Sequence, residues 1–138
     1  MPFGNSGIFA SMIAVPYVLA CEVIFFRKNR LFFKFGKHVA GIAALDQEPH
    51  VLYISTLAVS PEFRRAGIAS FILNYAETVA EKIGKGYLEL SVLKKNLPAR
   101  KLYEKHGFSV KKEKRRTYLM TKKVDPQRRA NATATPAK

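Results

Sequence analysis

The run Leu57-Ala58-Val59-Ser60-Pro61-Glu62-Phe63-Arg64-Arg65-Ala66-Gly67-Ile68-Ala69 passes from a β-type apolar stretch, through a short basic turn, straight into an amphipathic helix. Residue types in that order suit the binding of a pyrophosphate. The start of a helix leaves its first backbone N–H groups without intrahelical partners, and the aligned peptide dipoles place partial positive charge there. Gly67 and Ala69 keep the wall of the turn low, so that phosphate oxygens can approach the main chain, while Arg64 and Arg65 add charge. The plain alternative is an ordinary strand–turn–helix with two solvated arginines, because short glycine patterns arise often by chance.

A second stretch narrows the choice. Arg64-x-x-Gly67-x-Ala69 after Leu57-Ala58-Val59 resembles the acetyl-CoA signature of the GNAT superfamily of N-acetyltransferases, Gln/Arg-x-x-Gly-x-Gly/Ala. Downstream, Asn96-Leu97-Pro98-Ala99-Arg100-Lys101-Leu102-Tyr103-Glu104-Lys105-His106-Gly107-Phe108 resembles the second motif of that superfamily, from an asparagine through a tyrosine-bearing helix to a Gly-Phe pair. The two stand in the expected order, and the resemblance runs roughly from Leu31 to Val124.

The resemblance implies an α/β fold, a GNAT-like mixed, mostly antiparallel sheet with a central parallel strand pair flanked by helices. It implies acetyl-CoA as cosubstrate. Backbone groups of Leu57, Ala58 and Val59 would hydrogen-bond the pantetheine arm on a strand that splays from its parallel neighbour. The amides of Arg65, Ala66, Gly67, Ile68, Ala69 and Ser70 would hold the pyrophosphate, with Arg64 at its edge. Tyr103 matches the tyrosine that returns a proton to the CoA sulfur in many members, a task suited to a phenol with an ordinary pKa of about 10; packing beside Leu102 and Phe108 is the plainer role.

Glu89 in Tyr87-Leu88-Glu89-Leu90 alternates with apolar neighbours, which puts one carboxylate in the middle of a strand. The stretch is similar to a Leu-Glu-Val strand of ribosomal-protein and archaeal protein N-terminal acetyltransferases, where the glutamate is the proposed general base. Partial desolvation would suit it to that role, whereas strand glutamates otherwise face solvent. Tyr53-Ile54-Ser55-Thr56-Leu57 resembles a Tyr-Ile-x-Thr-Leu stretch of eukaryotic N-terminal acetyltransferases, which makes Tyr53 and Ser55 candidate acceptor-binding residues. Asn96 either bonds the cofactor backbone or caps the next helix. His38, His50 and His106 are too scattered for a metal or a triad, and no metal site is expected.

The elements that must position these residues can be read from periodicity. Leu31–Phe35 and Val39–Leu45 read as a hairpin around Gly36-Lys37, and Val51–Val59 as a further strand. A helix from about Gly67 to Ile83 carries Ile68, Phe71, Ile72, Tyr75, Val79 and Ile83 on one face and ends at Gly84. Tyr87–Val92 follows as a strand parallel to the one before the helix. Pro98 opens a short helix, Gly107 closes it, and Phe108–Val110 with Thr117–Lys123 form the last pair around a basic stretch from Lys111 to Arg116.

At 138 residues the chain fits one domain, expected over 1–124, with a disordered basic tail over 125–138. Cys21 is the only cysteine, so neither an intrachain disulfide nor a thiolate metal site can form, and a reducing, cytoplasmic setting is expected. Gly7–Phe26 is strongly apolar, but Glu22 and Pro16 within it favour packing as a buried helix or strand over a membrane span. The formal charge of +14 is carried mostly by the C-terminal half, which attracts polyanions without identifying one. The expected activity is acetyl-CoA-dependent transfer to a primary amine, on a protein N-terminus, a lysine or a small amine, by direct attack in a ternary complex. The alternative is a non-catalytic CoA- or nucleic-acid-binding module on the same fold, with ribosome association open in both cases. The oligomeric state is not legible.

Overall fold

The computed structural model describes residues 21–26, as backbone, and 29–125. The apolar segment before Cys21, the Cys21 side chain and the tail beyond Asp125 lie outside the described residues. The strands are β1 (Cys21–Phe26), β2 (Arg30–Phe35), β3 (His38–Glu48), β4 (Val51–Val59), β5 (Tyr87–Leu93), β6 (Ser109–Glu113) and β7 (Thr117–Lys123), and the helices α1 (Ile68–Lys82) and α2 (Leu97–Lys105). The strand order is β1-β2-β3-β4-β5-β7-β6. Pairs β1–β2, β2–β3, β5–β7 and β6–β7 are antiparallel and β4–β5 is parallel, as the mixed-sheet expectation required. Two compact units divide the chain: residues up to Asp46 with Ser55–Tyr75, and Gln47–Ile54 with Ala76 onward.

In the first unit the β2–β3 hairpin turns at Gly36, whose φ of 60° suits a residue without Cβ. Strand alternation sends Leu31 and Phe33 inward, and both are fully buried. The Phe33 ring meets Phe71 and Tyr75 of α1 edge-on, with centroids 5.8 and 5.7 Å away, a geometry that aromatic quadrupoles favour. Ile68, Phe71, Ile72 and Tyr75, spaced by three and four, form the buried stripe of the helix. The helix can lie this close because position 41 has no side chain. A Cβ there would stand 2.9 Å from Ile72 Cδ1, 3.0 Å from the Ala58 carbonyl oxygen and 3.3 Å from Ile68 Cγ2.

In the second unit the parallel ladder joins Val51–Ile54 to Tyr87–Leu90, and β5 pairs with β7 along its whole length. Leu52, Ile54, Leu88, Leu90, Val92 and Met120 are buried, together with Ala76, Val79 and Ala80 of the later turns of α1. Gly84, at φ 78°, ends that helix, and the Lys85 N–H bonds the Ala80 carbonyl at 2.9 Å, a left-handed glycine cap. Two strands end more than a residue away from the sequence reading. β3 runs on through Asp46 to Glu48, and β6 covers Ser109–Glu113, leaving only 114–116 as the turn. Every residue of β6 is exposed, so it has no apolar alternation by which to be found.

Candidate functional site

After β4 the chain makes a single 3-10 turn over Pro61–Phe63 and four turn residues before α1 begins at Ile68. Arg65 and Gly67 both lie in the left-handed region, at φ 63° and 83°. Left-handed residues alternating with right-handed ones point successive N–H groups into one concavity, a nest that receives anions. For Arg65 this conformation costs about 1–2 kcal/mol, so the surroundings must impose it. The turn is anchored upstream at Ser60 and Phe63. The Ser60 N–H donates to the Ala40 carbonyl at 2.8 Å and its Oγ to the Val39 carbonyl at 2.7 Å. The Phe63 ring stacks on Phe35 at 5.8 Å.

The first bond that closes a turn of α1 runs from the Phe71 N–H to the Gly67 carbonyl at 3.0 Å. The Ile68 and Ala69 amides precede it and have no intrahelical acceptor. The Ala66 N–H, by contrast, turns back to the Phe63 carbonyl at 3.4 Å, so the run expected from Arg65 to Ser70 is interrupted at Ala66. A Cβ on Gly67 would meet nothing within 4 Å; the space above the turn is open and of a kind that phosphate oxygens could fill. Arg64 is exposed, and its Nε leans on the Val59 carbonyl at 3.4 Å. Leu57 and Val59 are half-buried and Ala58 is exposed, on the part of β4 that continues past its ladder residues Val51–Ile54. Ser55 is exposed, its Oγ 3.5 Å from the Ala44 carbonyl.

In the second unit one face of the sheet carries a polar row. Tyr53 stands beside Glu89 in the parallel ladder and Thr121 opposite it in the antiparallel one, and cross-strand neighbours share a face. Glu89 is 5% exposed. Its Oε2 accepts from Lys111 Nζ at 2.9 Å and from Thr121 Oγ1 at 3.0 Å, while Oε1 takes no hydrogen bond among the described residues. The Tyr53 hydroxyl donates to Ser91 Oγ at 2.9 Å. The row therefore holds one buried carboxylate with an oxygen open to a further donor, as a proton acceptor needs.

Tyr103 lies on α2, buried, its ring tilted against Phe108 at 6.0 Å. Both the catalytic and the packing role foreseen for it are compatible with that placement. Burial pushes its pKa up, so the hydroxyl stays protonated across the neutral range, and no hydrogen bond to another described residue engages it. Asn96 caps α2: its Oδ1 accepts the Ala99 N–H at 3.3 Å, the plainer of its two foreseen roles. His106 follows the last turn of α2, its pKa lowered by burial and then by Lys122 and Lys105. Among the described residues no group of acidic, histidine or cysteine side chains could hold a metal. Two residues escaped the sequence reading. Gly41 carried no signal beyond being a glycine in a strand pattern, which marks close backbone approach, and the partner of Lys111 is 22 residues away in sequence.

Comparison with known proteins agrees with this geometry. A model of the acetyltransferase (GNAT) family matches residues 16–108. The chain is 37% identical over 67 residues to the catalytic subunit NAA20 of the N-terminal acetyltransferase B complex of Arabidopsis thaliana, covering 48% of this chain and 38% of that protein. It is 41% identical over 59 residues to N-alpha-acetyltransferase 20 of Dictyostelium discoideum, covering 42% and 34%. These matches thus span little more than a third of either relative. Among solved structures, the PaiA N-acetyltransferase of Thermoplasma acidophilum in complex with coenzyme A superposes with a TM-score of 0.66 at 24% identity, over 69% of this chain and 60% of that one, a likeness of fold.

Proposed function

The chain belongs to the acetyltransferase (GNAT) family, and on that premise we propose that it transfers the acetyl group of acetyl-CoA to a primary amine by direct attack, with a protein N-terminus as the acceptor class. The observation that carries this is the left-handed pair Arg65 and Gly67 directly ahead of α1, with open space above Gly67, since a helix start entered through such a turn favours a diphosphate. The NAA20 relatives favour a protein N-terminus over a small amine.

The main chain from Arg65 to Ala69, Ala66 excepted, holds the diphosphate, with Arg64 at its edge, and the backbone of Leu57, Ala58 and Val59 offers strand-like hydrogen bonds to the pantetheine arm. Acetyl-CoA, when bound, supplies an activated acyl carbon and a thiolate leaving group. Glu89 takes a proton from the acceptor ammonium at Oε1, directly or through water, which frees the nitrogen lone pair to form the C–N bond as the C–S bond breaks. Tyr103, kept protonated by burial, gives its proton to the departing sulfur, and the second proton that the nitrogen sheds on becoming the amide returns, directly or through water, to the Tyr103 oxygen. Tyr53 and Ser55 line the acceptor's approach, Tyr53 with its hydroxyl fixed by Ser91.

Calorimetric titration with CoA and acetyl-CoA, followed by mass-detected transfer to a library of free-N-terminus peptides and amines, tests the proposal. Binding with turnover supports it, and absence of CoA affinity overturns it. CoA binding without turnover on any amine would instead favour the non-catalytic reading, for which the exposed basic β6 and the turn after it are the supporting observation.

A further inference from the structure

We infer that Thr121 and Lys111 are positioning residues for Glu89: together they clamp Oε2 and so hold Oε1 as the oxygen that takes the acceptor's proton. This rests on the reading of Glu89 as the base. A carboxylate turns readily about its last side-chain bond, and its two oxygens are chemically equal, so nothing within Glu89 keeps either one free for a substrate. Its neighbours do. Thr121 stands opposite Glu89 in the β5–β7 ladder, and its Oγ1 donates to Oε2 at 3.0 Å. Lys111 arrives from β6, whose register against β7 shifts between Val110 and Lys112, a bulge of the kind that re-aims a side chain. Its Nζ donates to the same Oε2 at 2.9 Å. Both donors thus converge on one oxygen, and Oε1 takes no hydrogen bond among the described residues.

The two donors supply different things. Thr121 is neutral, and its β-branched side chain is stiff on a strand paired on both sides, so it supplies direction. Lys111 supplies the counter-charge that a buried carboxylate requires. The Glu89 side chain is 7% exposed and the Lys111 side chain 52%, so the charge comes from the solvent side. The charged and titratable side chains facing Glu89 are Lys111 and, as its ladder neighbour on β4, Tyr53. A carboxylate released from this clamp spends part of its time misaligned for proton transfer, which slows the step. That loss counts only while the acceptor arrives as its ammonium. An amine already neutral in solution has no first proton for Glu89 to take.

Steady-state kinetics on Thr121→Val, Thr121→Ser, Lys111→Met and Glu89→Gln, with the best acceptor peptide from the screen above, test this at about pH 7, where a peptide α-amine is mostly the ammonium, and at about pH 9, where it is mostly neutral. Thr121→Val keeps the side-chain shape and removes the donor. It is expected to lower kcat by about tenfold at the lower pH, with KM for acetyl-CoA unchanged, and to recover most of that loss at the higher pH. Thr121→Ser is expected to restore the parental kcat. Lys111→Met should follow the pattern of Thr121→Val with a smaller loss, because a half-exposed charge is screened. A parental kcat in Thr121→Val, or a loss of the same size at both pH values, overturns the inference while leaving Glu89 as the base. The base reading itself fails if Glu89→Gln keeps the parental kcat at the lower pH or if the parent acetylates no amine, and the inference then falls with it.

Discussion

The role proposed for Tyr103 can be isolated from that proposed for Glu89 by a single substitution. Tyr103→Phe keeps the ring against Phe108 and removes only the proton, so kcat is expected to fall by about a hundredfold while CoA affinity in a calorimeter stays within about twofold. Retention of the parental kcat would remove Tyr103 from the chemistry. Tyr75 supplies a pH prediction of another kind. Burial pushes its phenol up to about 12 from 10.0, so between those values the unfolded chain loses a proton that the folded chain keeps. Stability is therefore whole below pH 10 and declines as pH rises towards 12, by about 2–3 kcal/mol from this group. Urea midpoints across that range should fall for the parent and flatten for Tyr75→Phe.

At the scale of elements, the approach of α1 to the sheet and the turn before it set the phosphate site. Gly41→Ala puts a methyl 2.9 Å from Ile72 Cδ1 and 3.0 Å from the Ala58 carbonyl oxygen; the isoleucine tip can turn aside but the carbonyl cannot, so the backbone of β4 at Ala58, next to the turn, must shift. A stability loss of about 1–3 kcal/mol and a weaker CoA affinity are expected together, from denaturation and calorimetry on the same sample. Asn96→Ala should cost about 1 kcal/mol through loss of the cap with little change in KM for acetyl-CoA; a large KM effect would return Asn96 to the cofactor.

The elements with a strong period were legible in the sequence. β4 has the expected ends, and α1 and β5 differ from theirs by a residue or so, because their buried faces leave a repeat of two or of three and four. The wholly exposed β6 left none. The turn before α1 was legible as Arg-x-x-Gly-x-Ala, but not the left-handed Arg65 or the Ala66 amide turned back to Phe63, since neither conformation is written in residue type. Lys111 read as part of a basic stretch because its bond to Glu89 hangs on a bulge and on a register between distant strands.

For the whole molecule charge is the dominant property, and among the described residues Lys94 pairs with Glu113, Lys111 with Glu89 and Lys122 with Glu77. Lys95, Lys101, Lys112, Lys114, Arg115, Arg116 and Lys123 remain exposed. The nucleic-acid-binding alternative predicts association with a single-stranded RNA, read by fluorescence anisotropy, that weakens steeply as salt rises and weakens further when Lys114, Arg115 and Arg116 are replaced by Gln; absence of such association removes that alternative. No helix among the described residues is long and apolar enough to cross a membrane. The division between the two units falls inside β4, after Ile54, and inside α1, after Tyr75, rather than in a linker. Neither unit owns a whole copy of that strand or that helix. We propose that they fold as one domain, with one calorimetric transition and coincident fluorescence and circular-dichroism melts. The same division limits how such a protein can be inherited: a crossover that took the diphosphate turn from one ancestor and the carboxylate row from another would splice a strand and a helix in mid-course, so the two halves of the chemistry must descend together.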